Sequence, residues 1–144
     1  MEDEKHLCRR TVKVKNALLS CQRRVCPSEQ DRVQDSMEKS CTFCQIIGGE
    51  KPTEFLYQDE SLVVFKDIRP HAPVHLLIVP KRHIRSLNDL KDQDKEIVAE
   101  MILRAQKIAK EQKISDSGYK ILFNVERGGG QVIFHLHLHL LGGW

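Results

Sequence analysis

Residues 134–141 are Phe134-His135-Leu136-His137-Leu138-His139-Leu140-Leu141, in which histidines alternate with apolar side chains. Successive side chains of a β-strand point to opposite faces. His135, His137 and His139 therefore share one face of a predicted strand, and the apolar residues share the other. We predict that the apolar face packs on the core. The histidine face is predicted to border a functional site, because each imidazole carries two nitrogens that need partners.

Three interpretations of this histidine face are open. The imidazoles are surface or hydrogen-bonded structural residues, or they bind zinc through neutral nitrogens. In the third interpretation, one imidazole attacks a substrate while its neighbours set its tautomer and bind developing charge. Asn124, the glycines at 128–130 and Gln131 lead into the strand. Because glycine-rich backbone can approach a phosphate closely and present N–H donors to it, this neighbourhood favours catalysis on a nucleotide.

Other residues supply the remaining parts of a nucleotide site. Asp67 lies in a loop held by Pro70 and Pro73, where its carboxylate could accept hydrogen bonds from ribose hydroxyls. The apolar side chains that could enclose a base are Phe43, Ile46, Phe65 and Ile68. Together with the histidines, these residues outline a site for a nucleoside monophosphate.

The rest of the pattern predicts an α+β fold. Apolar residues at helical spacing predict one long helix over residues 92–113, and a short N-terminal helix over 41–47 ends at Gly48. The first three strands lie close together in the chain, which favours an antiparallel five-stranded meander sheet with the long helix on one face. The predicted strands cover residues 55–58, 62–66, 75–79, 119–125 and 132–141.

Composition limits the class of protein and its compartment. The chain has 144 residues with 23 basic and 20 acidic side chains, and a net charge of +3 is too small to predict nucleic-acid binding. No apolar run is long enough to span a membrane. Five cysteines, an odd count, follow an acidic N-terminus without an apolar segment, which predicts a cytoplasmic protein. Residues 1–40 show no periodicity and are predicted to be a flexible or non-native extension to a domain at 41–144.

Several separated motifs resemble the histidine-triad family. The family signature, His-φ-His-φ-His-φ-φ with φ apolar, is matched in full at residues 135–141. The resemblance covers residues 41–144 and favours the branch of histidine triad nucleotide-binding proteins that act as purine nucleoside phosphoramidases. Further segments in family order are residues 65–70, 72–75, 78–84, 118–119, Asn124 and 129–131.

The resemblance implies a hydrolase of purine nucleoside 5′-phosphoramidates, of the adenosine 5′-monophosphoramidase type, that acts through a covalent nucleotidyl-histidine intermediate. It implies His137 as the nucleophile, His139 as a donor to a phosphate oxygen and His75 as their support. It also implies a homodimer whose two sheets join, and catalysis without a cofactor. The implied substrate contacts are Asp67 and Ile68 at the ribose, Asn124, Gly130 and Gln131 at the phosphate, and Val132 at the leaving group, where relatives often have serine.

Two alternatives to this function stay open at the level of sequence. One is a dinucleoside polyphosphate hydrolase of the same fold, and the other is a non-enzymatic nucleotide-sensing scaffold. The cysteine pair Cys41-x-x-Cys44 also allows two interpretations. Its spacing is that of half a zinc site, and the resemblance implies His83 and His135 as the other ligands of a structural zinc. The alternative is a pair of buried thiols in a short helix.

Overall fold

The computed structural model describes residues 40–144, and the predicted extension at 1–40 lies outside the described residues apart from Ser40. The short and the long helix are both present, and five strands follow the predicted order. The elements are α1 (Thr42–Ile47), β1 (Phe55–Gln58), β2 (Leu62–Lys66), β3 (Val74–Pro80), α2 (Lys95–Glu111), β4 (Tyr119–Phe123) and β5 (Leu138–Gly142).

The five strands form one antiparallel sheet in the order β1-β2-β3-β5-β4. This confirms the predicted α+β class and the five-stranded antiparallel sheet. The first three strands form the expected meander, whereas β5 lies between β3 and β4. The difference arises because α2 carries the chain from β3 to the far edge, where β4 forms, and the glycine loop then returns it inward. The histidine strand therefore occupies an interior position of the sheet.

Both faces of the sheet are covered, which explains the unbroken apolar runs in β2 and β3. Leu62 and Val64 of β2 pack towards α2, which contributes the buried Met101 and Ile108. Val63 of β2 and its odd-numbered neighbours pack towards α1 on the other face. Apolar residues of the histidine segment, namely Leu136, Leu138 and Leu140, lie on the α2 side as predicted. The alternate side chains of this segment are thus directed to the α1 side.

The last strand begins later than its sequence pattern predicts. Ladder pairing with β3 extends only as far as Ile78 opposite Leu138. Two positions further along that register, Pro80 comes opposite Leu136, and proline has no N–H to donate to a ladder. Instead, the amide of Leu136 donates to the carbonyl of Ile84 at 2.6 Å. The prediction of a continuous strand over 132–141 was therefore wrong for residues 132–137, although the alternation of faces persists through them.

The long helix is shorter than predicted at both ends. Residues Asp92–Asp94 form a 3₁₀ turn, and α2 begins at Lys95. The Asp94 side chain accepts a hydrogen bond from the amide of Lys91 at 2.9 Å and pairs with the guanidinium of Arg82, so that it closes the 3₁₀ turn that leads into the helix. Among residues 40–144, no helix has both the length and the apolar content needed to cross a membrane.

Candidate functional site

A cavity of about 680 Å³ opens on the α1 side of the sheet, in the size range of small-molecule sites. Its walls come from α1, from the ends of β2 and β3, from the glycine loop and from β5. All the predicted catalytic residues line it, and so do all the predicted substrate-binding residues except Gln131. The lining residues from these two groups are Phe43, Ile46, Phe65, Asp67, Ile68, His75, Asn124, Gly130, Val132, His137 and His139.

His137 presents one bare ring nitrogen to this cavity. Its Nδ1 lies 2.6 Å from the main-chain carbonyl of His135, so Nδ1 carries the proton and donates it. Nε2 therefore keeps its lone pair. The side chain is buried, and burial lowers the pKa of His137 below its ordinary value of 6.5. A neutral imidazole with a free Nε2 is a competent nucleophile near pH 7.

His139 presents a ring N–H instead, and a chain of hydrogen bonds fixes this. The amide of His71 donates to Nδ1 of His75 at 3.0 Å, so neutral His75 carries its proton on Nε2. That Nε2 lies 2.9 Å from Nδ1 of His139 and donates to it. His139 is left with its proton on Nε2, 3.4 Å from the side-chain amide of Asn124 at the cavity wall, and in this tautomer a hydrogen bond between the two requires the amide oxygen to face the ring. The cavity thus contains one imidazole acceptor and one imidazole donor.

The electrostatics of the cavity keep these rings neutral. Burial lowers the pKa of His139 to about 4, and the nearby His137 and His75 rings act in the same direction. Burial also lowers the pKa of His75, against the attraction of the Asp67 carboxylate 3.5 Å from its Nε2. Because both values lie below 7, the hydrogen-bond chain described above is the dominant state at neutral pH.

Asp67, His75 and His139 are close enough to be considered as a metal set, but their geometry favours the hydrogen bond. The ring centroids of the two histidines are 5.2 Å apart while the facing nitrogens are 2.9 Å apart. The difference between these two distances is about twice the distance from the centre of an imidazole ring to one of its nitrogens. The two nitrogens therefore lie on the line between the ring centres. The N–H of His75 and the lone pair of His139 thus point at each other and do not converge on a third atom.

The second histidine pair converges on the cysteines. Nδ1 of His83 and Nδ1 of His135 are 3.2 Å apart, although their rings are perpendicular and only 4.9 Å apart. The Cys41 sulfur lies 3.4 Å from Nδ1 of His135, and the Cys44 sulfur lies 3.3 Å from Nδ1 of His83. A tetrahedral Zn²⁺ with bonds of about 2.3 Å to sulfur and about 2.1 Å to nitrogen separates its ligand atoms by about 3.3–3.8 Å.

The chemistry of this cluster also fits Zn²⁺. Burial opposes ionisation of Cys41, but hydrogen bonding to His135 and His83 outweighs it and lowers the pKa of the thiol to about 5. Nε2 of His135 donates to the carbonyl of Pro80 at 2.8 Å, which leaves Nδ1 bare for a metal; zinc-bound histidines usually donate their other ring N–H in this way. His83 has no such partner among the described residues. The four residues predicted to bind zinc are therefore brought together in a suitable arrangement.

Gln131 does not line the cavity. Its side chain is buried, its Oε1 accepts from the amide of Glu126 at 2.9 Å, and its Nε2 donates to the carbonyl of Arg85 at 2.8 Å. These hydrogen bonds hold the glycine loop in place on the side away from the cavity. Gly130 at the front of that loop has a φ of +83°, a conformation that favours glycine, and its backbone faces the cavity.

The cavity rim has two aliphatic residues that are unusually exposed. It also includes polar residues that the sequence analysis did not single out. Ile68 and Val132 are 94% and 86% exposed, more than any other large apolar residue among those described. The additional lining residues include Lys66, Arg69 and His71. The hydrogen bond from His71 to His75 comes from the main-chain amide, for which no sequence signal exists.

Comparisons with known proteins agree with this arrangement. The family described as "Scavenger mRNA decapping enzyme C-term binding" matches residues 40–143. A purine nucleoside phosphoramidase of Escherichia coli (strain K12) is 40% identical over 107 residues, which cover 74% of this chain and 90% of that protein. The crystal structure of a HIT family hydrolase from Legionella pneumophila Philadelphia 1 is 49% identical with a TM-score of 0.71, over 72% of this chain and 93% of that one.

A third relative bears on the cysteine cluster. The crystal structure of a Zn-bound histidine triad family protein from Mycobacterium smegmatis is 34% identical with a TM-score of 0.65, over 74% of this chain and 77% of that one. The matched family covers most of the described chain, and the likeness in sequence to these relatives extends over more than two thirds of it. The fold, the motifs and these relatives together establish that the chain belongs to the histidine-triad family.

Proposed function

We propose that this protein hydrolyses purine nucleoside 5′-phosphoramidates through a nucleotidyl-histidine intermediate. The observation that carries the proposal is the pairing of a bare Nε2 on His137 with an N–H on His139 in one cavity. A phosphoryl centre needs a nucleophile on one side and a donor for its oxygens. Preorganised donors of this kind stabilise the charge that develops in the transition state.

The proposed reaction has two steps. In the first, Nε2 of His137 forms a bond to the α-phosphorus, the P–N bond of the substrate breaks, and the amine leaves with a proton taken from solvent water. In the second, water forms the new P–O bond and returns a proton to solvent, the bond to His137 breaks, and the nucleoside monophosphate is released with the neutral imidazole restored. His139 donates to a non-bridging phosphate oxygen in both steps, because its proton is held on Nε2 by His75.

The walls of the cavity suggest how the substrate lies. We place the base against Phe43, Ile46, Phe65 and Ile68, which are apolar, and the ribose near Asp67. The phosphate then meets Asn124 and the backbone of Gly130. Val132 remains for the leaving group. Since its exposed isopropyl group offers no hydrogen bond, we propose that the enzyme accepts amines with apolar substituents at this end.

We also propose a structural Zn²⁺ at Cys41, Cys44, His83 and His135. When bound, the ion would join α1 to the segment that precedes β5, and the chemistry of His137 does not use it. The neutral imidazoles of the catalytic cavity supply the nucleophile and the donor themselves. A reducing compartment keeps such a thiolate cluster intact, and we therefore propose a cytosolic location, which fractionation of cells would test.

We propose a homodimer formed along β4. This strand lies at the edge of the sheet and exposes Ile121 and Leu122, and α2 exposes Ile102 and Leu103. An edge strand leaves N–H and C=O groups that a second copy can pair with. Leu122 also lines the cavity, so a partner at this edge would border the site. Sedimentation should give twice the chain mass, and Ile121→Asp should shift it towards the monomer.

The test of the function is a turnover assay with a fluorogenic adenosine 5′-phosphoramidate and, in parallel, a dinucleoside polyphosphate. The wild type and His137→Ala are compared after dialysis away from unbound metal. We expect the variant to lose at least about 10³-fold in turnover while it still binds AMP, which shows that it is folded. Faster cleavage of the dinucleotide would favour the alternative hydrolase. Tight AMP binding without turnover of either substrate would favour the scaffold.

A further inference from the structure

The residue between the two cysteines connects the zinc cluster with the catalytic cavity. Phe43 packs edge-on against His137, with ring centroids 5.1 Å apart, and against His135, with centroids 5.8 Å apart. It also contacts Phe65 on the opposite cavity wall at 5.6 Å. One buried ring therefore touches a zinc ligand, the nucleophile and the nucleotide-binding wall.

The helix that carries Phe43 depends on its tertiary contacts. Helix α1 has six residues, and its N-cap residue, Cys41, makes no side-chain capping hydrogen bond. Helices of this length are not stable alone in water. The cluster fastens both ends of its first turn to the rest of the fold through His83 and His135, which lie 39 and 94 positions away from their cysteine partners. A metal bond at the cysteines thus holds the ring between them in place.

A second route joins the cluster to the nucleophile. His135 directs Nδ1 to the cysteines and Nε2 to the carbonyl of Pro80, so its ring is fixed from both sides when a metal is bound. Its main-chain carbonyl accepts the hydrogen bond from Nδ1 of His137. When the His135 ring is held in place, its carbonyl is held as well, and this carbonyl sets the tautomer and the orientation of His137.

We propose that metal binding at this cluster and nucleotide binding in the cavity are positively coupled, with Phe43 as the positioning residue that transmits the coupling. The inference rests on the proposed function, because it requires that the cavity bind a nucleoside monophosphate. Linkage makes the effect reciprocal: zinc raises the affinity for the nucleotide by the same factor as the nucleotide raises the affinity for zinc. Coupling between sites of this kind is typically about 5- to 150-fold.

The experiment measures both halves of the linkage on the full chain. Calorimetry gives the Kd of AMP for zinc-free protein and for protein with one equivalent of Zn²⁺. Competition with a chromophoric chelator gives the Kd of zinc with and without saturating AMP. We expect the two ratios to agree and to exceed about fivefold. Because α2 and the sheet bury their own core without the cluster, circular dichroism should show that the zinc-free protein stays folded.

Each contrary result has a distinct meaning. Equal AMP affinities with and without bound zinc would overturn the coupling and leave the proposed function intact. An absence of AMP binding in both states would overturn the proposed function and this inference with it. Failure of the protein to bind zinc at all would overturn the cluster assignment and the coupling, and again leave the function of the cavity untouched.

Two variants in α1 locate the transmitting residue. Phe43→Leu keeps an apolar side chain but removes the ring contacts, and we expect zinc to bind while the coupling ratio falls towards 1. Ile47→Val is the matched control, since it trims an apolar side chain of the same helix that does not line the cavity. It should keep the wild-type ratio. Equal loss of coupling in both variants would show that Phe43 is not the positioning residue.

Discussion

Two pairs of histidines lie close together in this molecule and are arranged in opposite ways. In the pair His75–His139 the nitrogens are nearer, at 2.9 Å, and the ring centres are farther apart, at 5.2 Å. In the pair His83–His135 the nitrogens are 3.2 Å apart, while the centres are only 4.9 Å apart. The first pair shares a proton, and the second directs both nitrogens to two thiols. The comparison teaches that the presentation of the rings by the backbone, and not the residue type, decides the chemistry.

The break in the ladder at Pro80 separates the two arrangements along a single segment. His139 lies within the paired part of β5, opposite Leu77 of β3, where His75 of the same strand can meet it. His135 lies before the ladder begins, and its side chain takes up the carbonyl of Pro80. Regular pairing thus positions the proton chain, and the end of pairing frees His135 to face the two cysteines.

Among variants that change one histidine pair and leave the other intact, we expect His139→Ala to have the largest effect on activity. This variant removes the donor to the phosphate, so we expect kcat/KM for a phosphoramidate to fall by about 10²–10³-fold, as it does when one oxyanion donor is lost. Zinc affinity should stay within about twofold, because His139 makes no contact with the cluster in the described structure. Activity and metal content are measured on the same preparation. A parallel loss of zinc would show that the two pairs are not independent.

Cys44→Ser tests the other histidine pair. We expect it to reduce turnover less than His139→Ala does, and to weaken zinc binding more. Loss of a direct ligand should weaken zinc binding by at least about 10²-fold, since loss of a group that only hydrogen-bonds a ligand already lowers metal affinity about 10- to 100-fold. The thermal midpoint should fall and lose its dependence on added zinc. At saturating substrate we expect kcat to fall less than tenfold. Ile47→Val in the same helix is the control, and an unchanged zinc affinity in Cys44→Ser would refute the assignment.

The smallest expected effect is on the pH dependence of stability. The pKa of His139 is about 4 in the folded protein, below its unfolded value of about 6.5. The unfolded state therefore binds the proton first, and the stability present above pH 6.5 should decline as the pH falls towards 4. The groups that face His139 are His137, His75, Asp67 and His71. Urea midpoints of zinc-free wild type and His139→Gln should diverge over this range. Parallel curves would contradict the pKa assignment.

The sequence was sufficient for the framework that carries both pairs. Alternation through residues 134–141 assigned each side chain to its face, because side chains alternate along extended backbone even where ladder pairing stops. The apolar runs at 62–66 and 75–79 located two of the strands. The start of β5 could not be predicted in the same way, since the opposition of Pro80 and Leu136 follows from a register that only the assembled sheet defines.

Contacts made by main-chain atoms were also beyond the sequence. Gln131 was predicted at the phosphate, but its side chain bonds to the amide of Glu126 and to the carbonyls of Arg85 and Ile133. Every residue has such groups, so no residue type marks their position. The spacing of Cys41 and Cys44 allowed either half a zinc site or two buried thiols, and only the resemblance to the histidine-triad family implied His83 and His135 beside them.

The hydrogen bond from the amide of His71 has a consequence for how the site tolerates mutation. The orientation of two imidazoles is set by a group that every amino acid except proline possesses. Drift of the side chain at position 71 would therefore leave the proton arrangement of His75 and His139 in place. The loop between Asp67 and Val74 must keep its path. Natural variation of the side chain at position 71 could then change the cavity rim without changing which nitrogens of His75 and His139 carry protons.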